Sequence, residues 1–399
     1  MIAAILIMFG SGPIKGFGLT FFVGVLLSFF SAITASKFLL MFSASFIKSP
    51  WMYGVTQKSV EMKKSGGEKV FNFVGKRIIA LCLSCAVFAF GIISFVIWGP
   101  TMDVQFEGGT LLQIETASGE IGAATAETED FVRTVLNKNA TVQVLQTLNQ
   151  AGGGGAINVI QIKIAKSEGI LTTGEINTLL DALIEDPRFV VPAGAEPEIQ
   201  SIDASIGAEV RNRGFLAVGI SFIIIVLYIA VRYKIVSGVS MGVTGVIGLL
   251  HDALVVLSVY IIFRIPINES FIAGILTILA YSINATIIIY DRIRENSQYK
   301  RKAGVDELVN ASVSHTMTRT VYTTLTSLFA VGAVYVFALI YNIPSVMYFS
   351  FPIMLGMISG AYSSVFTVPA WWAWWRKRSD NIKKLQDALD VETVEETVE

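Results

Sequence analysis

Seven apolar stretches, each about long enough to cross the hydrocarbon core of a bilayer, constrain this chain more than any other feature. Roughly 20 apolar residues are needed for one crossing. The stretches are Gly16–Phe42, Ile78–Trp98, Gly214–Val231, Gly238–Phe263, Phe271–Tyr290, Val321–Ile340 and Val346–Trp372. Charged residues make up only 15% of the sequence, whereas soluble domains carry about 25%. The chain is therefore predicted to be a polytopic α-helical membrane protein.

Clusters of basic residues alternate along the chain and predict its orientation. One cluster precedes Ile78, and others follow Val231, Tyr290 and Trp372. Because loops rich in Lys and Arg stay on the cytoplasmic side, all four are expected in the cytoplasm. Residues 99–213 are then extracytoplasmic.

The segment 99–213 differs from the membrane stretches. Alternating runs at Thr141–Leu145 and Ile157–Ile164 predict strands, and runs at Glu127–Leu136 and Gly174–Ile184 predict helices. About 110 residues suffice for one small α+β domain. An outer α+β domain is therefore expected between the apolar stretches Ile78–Trp98 and Gly214–Val231.

Enzymatic chemistry is not expected here. The segment 99–213 contains no histidine, and Gly152–Gly155 lacks the Lys-Ser/Thr of a phosphate loop, so it is interpreted as a hairpin connector. Cys82 and Cys85 are interpreted as small residues of a lipid-buried helix, and no metal or cofactor is expected. The outer segment is acidic, which excludes nucleic acid as its partner.

Several polar residues lie inside the apolar stretches, where lipid penalises them unless they face another helix or a watery cavity. His251 and Asp252 are adjacent near the middle of their stretch. Asp252 has two interpretations: an acid paired with a cation from another helix, for which Arg319 is a candidate, or a structural contact that sets helix register. Because neighbouring helical residues point about 100° apart, His251 and Asp252 need not share one cavity.

The next stretch carries a stripe with helical spacing, which ends at the cytoplasmic interface. Its members are Thr277, Tyr281, Asn284, Ile288 and Asp291. All but one are polar, so this face is expected to contact neighbouring helices. Ser282 and Ala285 border the stripe.

The start and the end of the chain match when one is shifted by 332 positions. Gly24 then falls on Gly356, and Ser31 falls on Ser363. This match indicates a duplication in which the two membrane halves are parallel repeats. The chain is expected to hold the last part of one half and all of the other.

At this point the residues resemble a known family. FGSGPIKGF at the start resembles the end of SecD, whereas the later segments resemble SecF. These later segments are Phe71–Arg77, Met102–Thr110, Ser201–Gly214, Leu249–Leu257, Tyr281–Asn296 and Ser314–Leu328. The chain is identified as a member of the SecD/SecF protein-export family, within the RND-type superfamily.

The resemblance implies a division of the chain and a fold for the outer domain. The outer domain is expected to be ferredoxin-like, with the order βαββαβ. The implied divisions are 1–49 (end of the SecD-like half), 50–77 (cytoplasmic linker), 78–98 (first SecF-like helix), 99–213 (outer domain), 214–375 (five-helix bundle) and 376–399 (acidic cytoplasmic tail).

The resemblance also implies a function in the bacterial inner, or plasma, membrane. Such proteins assist preprotein export on the outer side, and proton flow is thought to drive them. The implied partners are the SecYEG channel, the remaining SecD half, a YajC- or YidC-like protein, unfolded preprotein and membrane lipid.

One departure from the family pattern bears on this function. The family carries an Asp, its proposed proton carrier, at the position of Ala285, and alanine cannot titrate. The candidate relay residues are therefore Asp252, His251, Asn284, Asp291 and Arg319. At the junction with the outer domain, Asp103, Gly108 and Gly109 are the candidates.

Two further functions stay open at this stage. With Ala285 in place, the chain fits a scaffold that holds translocase partners without moving protons. An RND-type exporter of small molecules or lipids is the other alternative, although such proteins usually carry larger outer domains.

Overall fold

The computed structural model describes residues 2–9, 12–47, 70–116, 125–148, 156–165, 168–186, 189, 197–233, 238–299, 303–341 and 343–379. Within these ranges, seven helices are long and apolar enough to cross a membrane. The prediction of a polytopic helical membrane protein is confirmed. Gly152–Gly155, most of the linker 50–77 and most of the tail 376–399 lie outside the described residues.

The helices before the outer domain begin with α1 (Ile2–Phe9). A long rod follows: α2 (Gly12–Phe30), a π-helix (Ser31–Ala35) and α3 (Ser36–Phe46). A 3₁₀ turn (Val74–Lys76) then leads into α4 (Arg77–Trp98).

In the described part of the outer domain, two helices and four strands follow a short helix, α5 (Val104–Glu107). Its elements are β1 (Gly109–Thr116), α6 (Thr125–Leu136), β2 (Ala140–Leu148), β3 (Ala156–Ala165), α7 (Thr173–Glu185) and β4 (Glu198–Ile202).

Five helical rods follow the outer domain in the described ranges. They are α8 (Ala204–Arg232), α9 (Gly238–Ile262), α10 (Glu269–Tyr299), α11 (Val305–Ile340) and α12 (Pro344–Tyr362). The last rod continues through a second π-helix (Ser363–Thr367) into α13, residues 368–379.

Two of these helices begin well before the apolar stretch that predicted them. The helix α8 begins at Ala204 rather than Gly214, because the Asp203 carboxylate accepts a hydrogen bond from the Ser205 N–H and caps its N-terminus. The helix α11 begins at Val305 rather than Val321. Hydropathy detects only the part of a helix that lies in lipid, so polar extensions escape it.

The outer domain has the ferredoxin-like arrangement. Its sheet has the strand order β2-β3-β1-β4, and every neighbouring pair is antiparallel. Leu112, Val142 and Ile162 lie in register across three strands, and their side chains are buried under α6 and α7. The predicted α+β fold and its βαββαβ order are confirmed.

The helix α7 begins with a capping box formed by Thr172 and Glu175. The Thr172 side chain accepts a hydrogen bond from the Glu175 N–H, and the Glu175 carboxylate accepts one from the Thr172 N–H. Lys138 donates to the same carboxylate over 2.6 Å. These hydrogen bonds, with that of Lys138 the strongest, lower the pKa of Glu175 to about 2.

Glycines bring α12 against α10 at the centre of the bundle. A Cβ atom at Gly356 would collide with the Ile278 side chain, and one at Gly360 would lie 3.1 Å from Ser282 Cβ. Small residues allow such close approach between membrane helices. The sequence Gly356-x-x-x-Gly360 therefore allows close packing of α12 on α10.

The two π-helices support the internal repeat. The first covers Ser31–Ala35 and the second covers Ser363–Thr367, so they coincide under the shift of 332 positions. A π-helix is a rare local structure that often marks functional sites. Its recurrence at matching positions is independent of the sequence identities that suggested the duplication.

Contacts at the two ends of the bundle agree with the orientation expected from the basic residues. Asp103 N–H donates to Ile267 O, which joins two segments predicted to lie outside. At the other end, Phe73 N–H donates to Asn310 Oδ1, and Lys377 pairs with Asp306. All four of these residues lie in or beside segments predicted to be cytoplasmic.

Candidate functional site

Asp252 lies near the middle of α9 and is completely shielded from solvent. Three serine hydroxyls from two other helical rods donate to its carboxylate: Ser282 over 2.5 Å and Ser363 over 2.8 Å to Oδ2, and Ser359 over 2.7 Å to Oδ1. Hydrogen bonds to a charged group are stronger than those between neutral groups. The carboxylate is thus held in a fully polar shell inside an apolar bundle.

His251 extends this shell towards α4. Its Nδ1 lies 3.0 Å from Asp252 Oδ1, and its Nε2 lies 2.8 Å from Ser84 Oγ. Ser84 Oγ lies 3.3 Å from the hydroxyl oxygen of Tyr362, which donates to Ala80 O over 2.6 Å. A continuous polar chain therefore runs from Asp252 through the imidazole to the backbone of α4.

The directions of these hydrogen bonds allow two arrangements that differ by one proton. Tyr362 has a single hydroxyl proton, which Ala80 O accepts, so a hydrogen bond between Ser84 and Tyr362 requires Ser84 to donate. Ser84 Oγ then accepts from His251 Nε2–H, and the contact between Nδ1 and Asp252 Oδ1 needs a second proton. In the other arrangement the Ser84 hydroxyl turns to donate to Nε2, and the imidazole keeps only its Nδ1 proton.

The local structure explains why these side chains meet. Ser359 and Ser363 are one helical turn apart, and the second π-helix begins at Ser363. Gly360 lets α12 approach α10 closely, which brings Ser359 and Ser363 beside Ser282. The ring of His251 packs edge-on against Phe88 and near Tyr362, which fixes its orientation.

Of the two interpretations of Asp252, the structure does not bear out the pairing with a cation. The expected cation from another helix is not its partner: the described partners of the carboxylate are the three serines and His251. Arg319, the candidate cation, has an exposed side chain. Although adjacent helical residues need not share one cavity, the His251 and Asp252 side chains do meet, because their χ angles bring Nδ1 onto Oδ1.

The other relay candidates lie away from this cluster. Asn284 is exposed on α10, on a different face from Ser282. Asp291 lies near the cytoplasmic end and pairs with Arg232 over 3.4 Å, with Arg294 at 3.8 Å. Ala285 is partly exposed. Of the five predicted relay residues, the structure brings together Asp252 and His251.

Sequence reasoning missed the residues that complete the site: Ser84, Ser282, Ser359, Tyr362 and Ser363. Serine and tyrosine are common in membrane helices, so each one alone carries little signal. The spacing of Ser359 and Ser363 by one helical turn was the available clue, since it places two hydroxyls on the same face.

A second polar contact lies two turns from Asp252, towards the cytoplasmic end. Thr244 Oγ1 and the Tyr290 hydroxyl are 2.7 Å apart and buried between α9 and α10. Gly248 lies between Thr244 and Asp252 on the same face, and the Val368 side chain packs onto it. Apolar packing thus separates the two polar clusters.

The junction residues predicted at the outer domain form a compact structural unit. The buried Asp103 carboxylate pairs with Lys163 Nζ over 3.2 Å. Gly108 and Gly109 have φ values of +83° and +145°, and a Cβ at Gly109 would collide with Ile164 O. Only glycine fits there without strain.

An acid at the start of α10 lies against this junction. The Glu269 N–H donates to Gln105 Oε1 over 3.4 Å. Its Oε2 is buried and has no hydrogen-bond partner within the part of the chain that the structure describes. The junction therefore joins the outer domain to the helix that carries Ser282.

Comparison with known proteins places this architecture in a family. Residues 189–378 match the family described as protein export membrane protein SecD/SecF, C-terminal. The protein translocase subunit SecF of Alicyclobacillus acidocaldarius is 32% identical over 300 residues, which cover 74% of this chain and 90% of that protein. The chain belongs to the SecD/SecF family of protein export membrane proteins.

Longer members of the SecD/SecF family match nearly the whole chain. The protein translocase subunit SecDF of Bacillus subtilis is 27% identical over 398 residues, covering 94% of this chain and 49% of that protein. The crystal structure of SecDF from Thermus thermophilus, described as a translocon-associated membrane protein, matches with a TM-score of 0.71 and 25% identity, covering 94% of this chain and 47% of that one. The chain spans about half the length of these two SecDF proteins. It is a multi-pass bacterial membrane protein.

Proposed function

We propose that this chain is the SecF-like part of an accessory unit of Sec protein export, and that the Asp252–His251 pair carries protons for that unit. The matched relatives are named protein translocase subunits, which supports a role in the translocase. The proposed substrate is unfolded preprotein on the outer side of the membrane. The proposed partners are the SecYEG channel and the remaining SecD half, with a YajC- or YidC-like protein as a further candidate.

One observation carries the proton part of this proposal: a fully buried carboxylate in the middle of the membrane shares a hydrogen bond with a histidine. Ionisable groups at such depth are costly and typically mark proton or ion pathways. The imidazole is the side chain best suited to gain and lose a proton near neutral pH.

The proposed step uses the two arrangements of the polar chain. In the loaded form, one proton lies between Nδ1 and Asp252 Oδ1, and Nε2–H donates to Ser84 Oγ. On unloading, a proton leaves from Nε2, the imidazole keeps its Nδ1 proton, and the Ser84 hydroxyl turns to donate to Nε2. The Asp252 carboxylate keeps its three serine donors throughout, so the pair changes charge without losing a hydrogen bond to Asp252.

Proton transport then requires that the His251–Asp252 pair be accessible first from one side of the membrane and then from the other. The packing of Val368 on Gly248 separates Asp252 from the Thr244–Tyr290 contact. We propose that this path opens when the π-helical segment Ser363–Thr367 is displaced. The segment carries Ser363 and directly precedes Val368. The junction at Ile267 and Glu269 would pass the motion of α10 to the outer domain.

The position of Ala285 supports a second candidate function, a scaffold that does not move protons. Alanine stands where the family motif carries its proposed proton carrier. Under this alternative, the Asp252 cluster only fixes the packing of α9, α10 and α12.

Protein translocation into inverted membrane vesicles of the source bacterium tests the proposal. Asp252→Asn keeps the size of the side chain but removes the titratable group, and we expect it to abolish the part of translocation that depends on the proton gradient. Ser84→Ala removes the partner of Nε2 and should reduce the same part by about tenfold, which corresponds to ~1.4 kcal/mol.

Ser94→Ala is the matched control, because Ser94 is a buried serine on the same helix, α4. Within the described part of the protein it has no hydrogen bond to His251, Ser84 or Tyr362. The substitution should leave translocation unchanged. An Asp252→Asn variant that is correctly inserted and keeps full gradient dependence would support the scaffold instead. In that case Ala285→Asp should also produce no gain in gradient-dependent export.

A further inference from the structure

A groove lies between α4 and α13, near the start of α4. Three of its lining residues, Arg77, Ile78 and Leu81, lie on one face of α4, and the other three, Ala370, Trp371 and Trp374, lie on one face of α13. Both sets have the spacing i, i+1, i+4, which places their members side by side on a helix. The groove has a volume of about 290 Å³.

The shape of the groove follows from its residue types. Ala370 is buried and small, so it forms the floor, whereas Trp371 and Trp374 are exposed and form one wall. Ile78 and Leu81 form the opposite wall and are also exposed. The lining is therefore apolar except for the Arg77 guanidinium and the indole N–H groups.

The groove lies at the membrane interface on one side. The helix α4 begins at Arg77, and α13 ends in the basic sequence Arg376-Lys377-Arg378. Tryptophan and arginine are both enriched at this level of membrane proteins. An occupant of the groove would thus have its polar end at the level of Arg77 and its apolar end in the hydrocarbon.

Charge distinguishes among possible occupants. Arg77 has no ion-pair partner within the described ranges of the chain, whereas Lys377 is paired with Asp306. Lys76 adds a second positive charge beside Arg77. A planar guanidinium binds phosphate oxygens through two parallel hydrogen bonds, so the polar end of the groove complements a phosphate group.

We propose that this groove binds a membrane phospholipid with an anionic headgroup. The phosphate lies against Arg77, and one acyl chain lies between the two tryptophans and Ile78 and Leu81. An extended polypeptide segment fits the groove less well, because its backbone groups would lack hydrogen-bond partners against this apolar lining. The inference goes beyond the proposed export function and does not depend on proton transfer.

Native mass spectrometry of the purified chain tests this site. The protein is mixed with phosphatidylglycerol or with phosphatidylcholine carrying the same acyl chains, and retained lipid is counted. The wild-type protein should retain phosphatidylglycerol preferentially. Arg77→Gln should reduce that preference by about fivefold, since one basic residue near the surface contributes roughly that factor.

Two neighbouring residues supply matched controls. Lys76→Gln removes a positive charge one residue away but outside the groove, and Trp375→Ala removes an indole that does not line it. Lys76→Gln should keep most of the preference. Trp374→Ala should weaken retention of both lipids, whereas Trp375→Ala should not.

Arg77→Lys controls for a folding defect, because it keeps the positive charge and loses only the planar guanidinium group. Its preference for phosphatidylglycerol should lie between those of the wild type and Arg77→Gln. Equal retention of the two lipids by the wild-type protein would overturn the proposal. So would an Arg77→Gln variant, folded by circular dichroism, that retains phosphatidylglycerol as the wild type does. Retention that depends on Trp374 but not on headgroup charge would show an apolar site of no lipid-class preference, which also contradicts it.

Discussion

At the scale of single residues, the Asp252 cluster shows how much of a site can be predicted from the residue types in the sequence. An acid and a histidine in an apolar run of this length are rare enough to predict a site, and the structure places Nδ1 of His251 on Oδ1 of Asp252. Their serine partners could not be predicted in the same way, because a hydroxyl costs little to bury when it bonds its own helix. Ser282 and Asn284 illustrate the limit: two residues apart, they face different directions.

The pair of Asp103 and Lys163 gives a prediction at the same scale. The Asp103 side chain is buried and that of Lys163 is only slightly exposed, so Lys163→Met would leave an uncompensated carboxylate at the junction. We expect it to destabilise the outer domain by about 3–5 kcal/mol. The double variant with Asp103→Asn should recover most of the loss, because no unpaired charge then remains.

Hydrogen exchange of the backbone amides in β1 and β3, recorded on the purified full chain at increasing temperature, measures both effects. If Lys163→Met alone leaves exchange in these strands unchanged, the ion pair does not support the junction.

At the scale of elements, the sequence predicted the type of each long segment better than its bounds. The strands β2 and β3 alternate clearly and were found, whereas β4 has only five residues and was missed as a separate run. The helix α11 extends 16 residues beyond the predicted start, since Val305 to Thr320 is too polar for a hydropathy criterion. Helix ends depend on caps and tertiary contacts rather than on apolar content.

The close packing of α12 on α10 predicts a strong dependence on glycine. Gly356→Ala would drive a methyl group into Ile278, and overpacking of this kind costs about 1–3 kcal/mol. Because the two helices would separate, Ser359 should also move from Asp252, so gradient-dependent export should fall together with stability.

Gly332→Ala is the control for that substitution. A Cβ atom at Gly332, which lies on the neighbouring helix α11, would be 3.8 Å from Met354 Cε, an ordinary contact distance. It should leave the melting temperature unchanged or raise it, as alanine favours helix over glycine. Similar losses in both variants would argue against a specific contact at Gly356.

The cap of α7 predicts a dependence on pH. The pKa of Glu175 is lowered to about 2 by hydrogen bonds from Lys138 and Thr172. A lowered pKa means that this group stabilises the folded domain above its ordinary pKa near 4.5, and that the contribution disappears as the pH falls towards 2.

Hydrogen exchange at the first turn of α7 checks this prediction in the full chain. Glu175→Gln should increase exchange there at pH 6, and its difference from the wild type should shrink as the pH is lowered to 3. Asp181→Asn, which alters an exposed acid on the same helix, is the control and should show no such trend. A constant difference across this pH range would contradict the assigned cause.

At the scale of the whole molecule, duplication links the first rod to the last. The two π-helices coincide under one shift, although their sequences, SAITA and SSVFT, share only the first residue. Ser31 is the counterpart of Ser363, the residue that donates to Asp252. This correspondence was visible in the sequence only as scattered identities, whereas the backbone conformation makes it clear.

The architecture also indicates how protonation of the His251–Asp252 pair could affect the distant outer domain. Ser282 and Glu269 belong to one helix, α10, which contacts Asp252 near its middle and the outer domain at its start. A change in the hydrogen bonds of Asp252 therefore acts on the same rigid rod that meets the junction. The proposed coupling between this cluster and the outer domain depends on whether the His251–Asp252 pair takes up and releases a proton.

Nitrogen-15 NMR of the histidine side chains measures this most directly. The chain has only two histidines, His251 and His315, so a His315→Gln variant labelled at the imidazole nitrogens reports on His251 alone. As the pH rises, Nε2 should lose its proton while Nδ1 keeps its own, and Ser84→Ala should shift the midpoint of that change. A His251 ring that holds one protonation state and one tautomer throughout, in a correctly folded protein, would contradict the account.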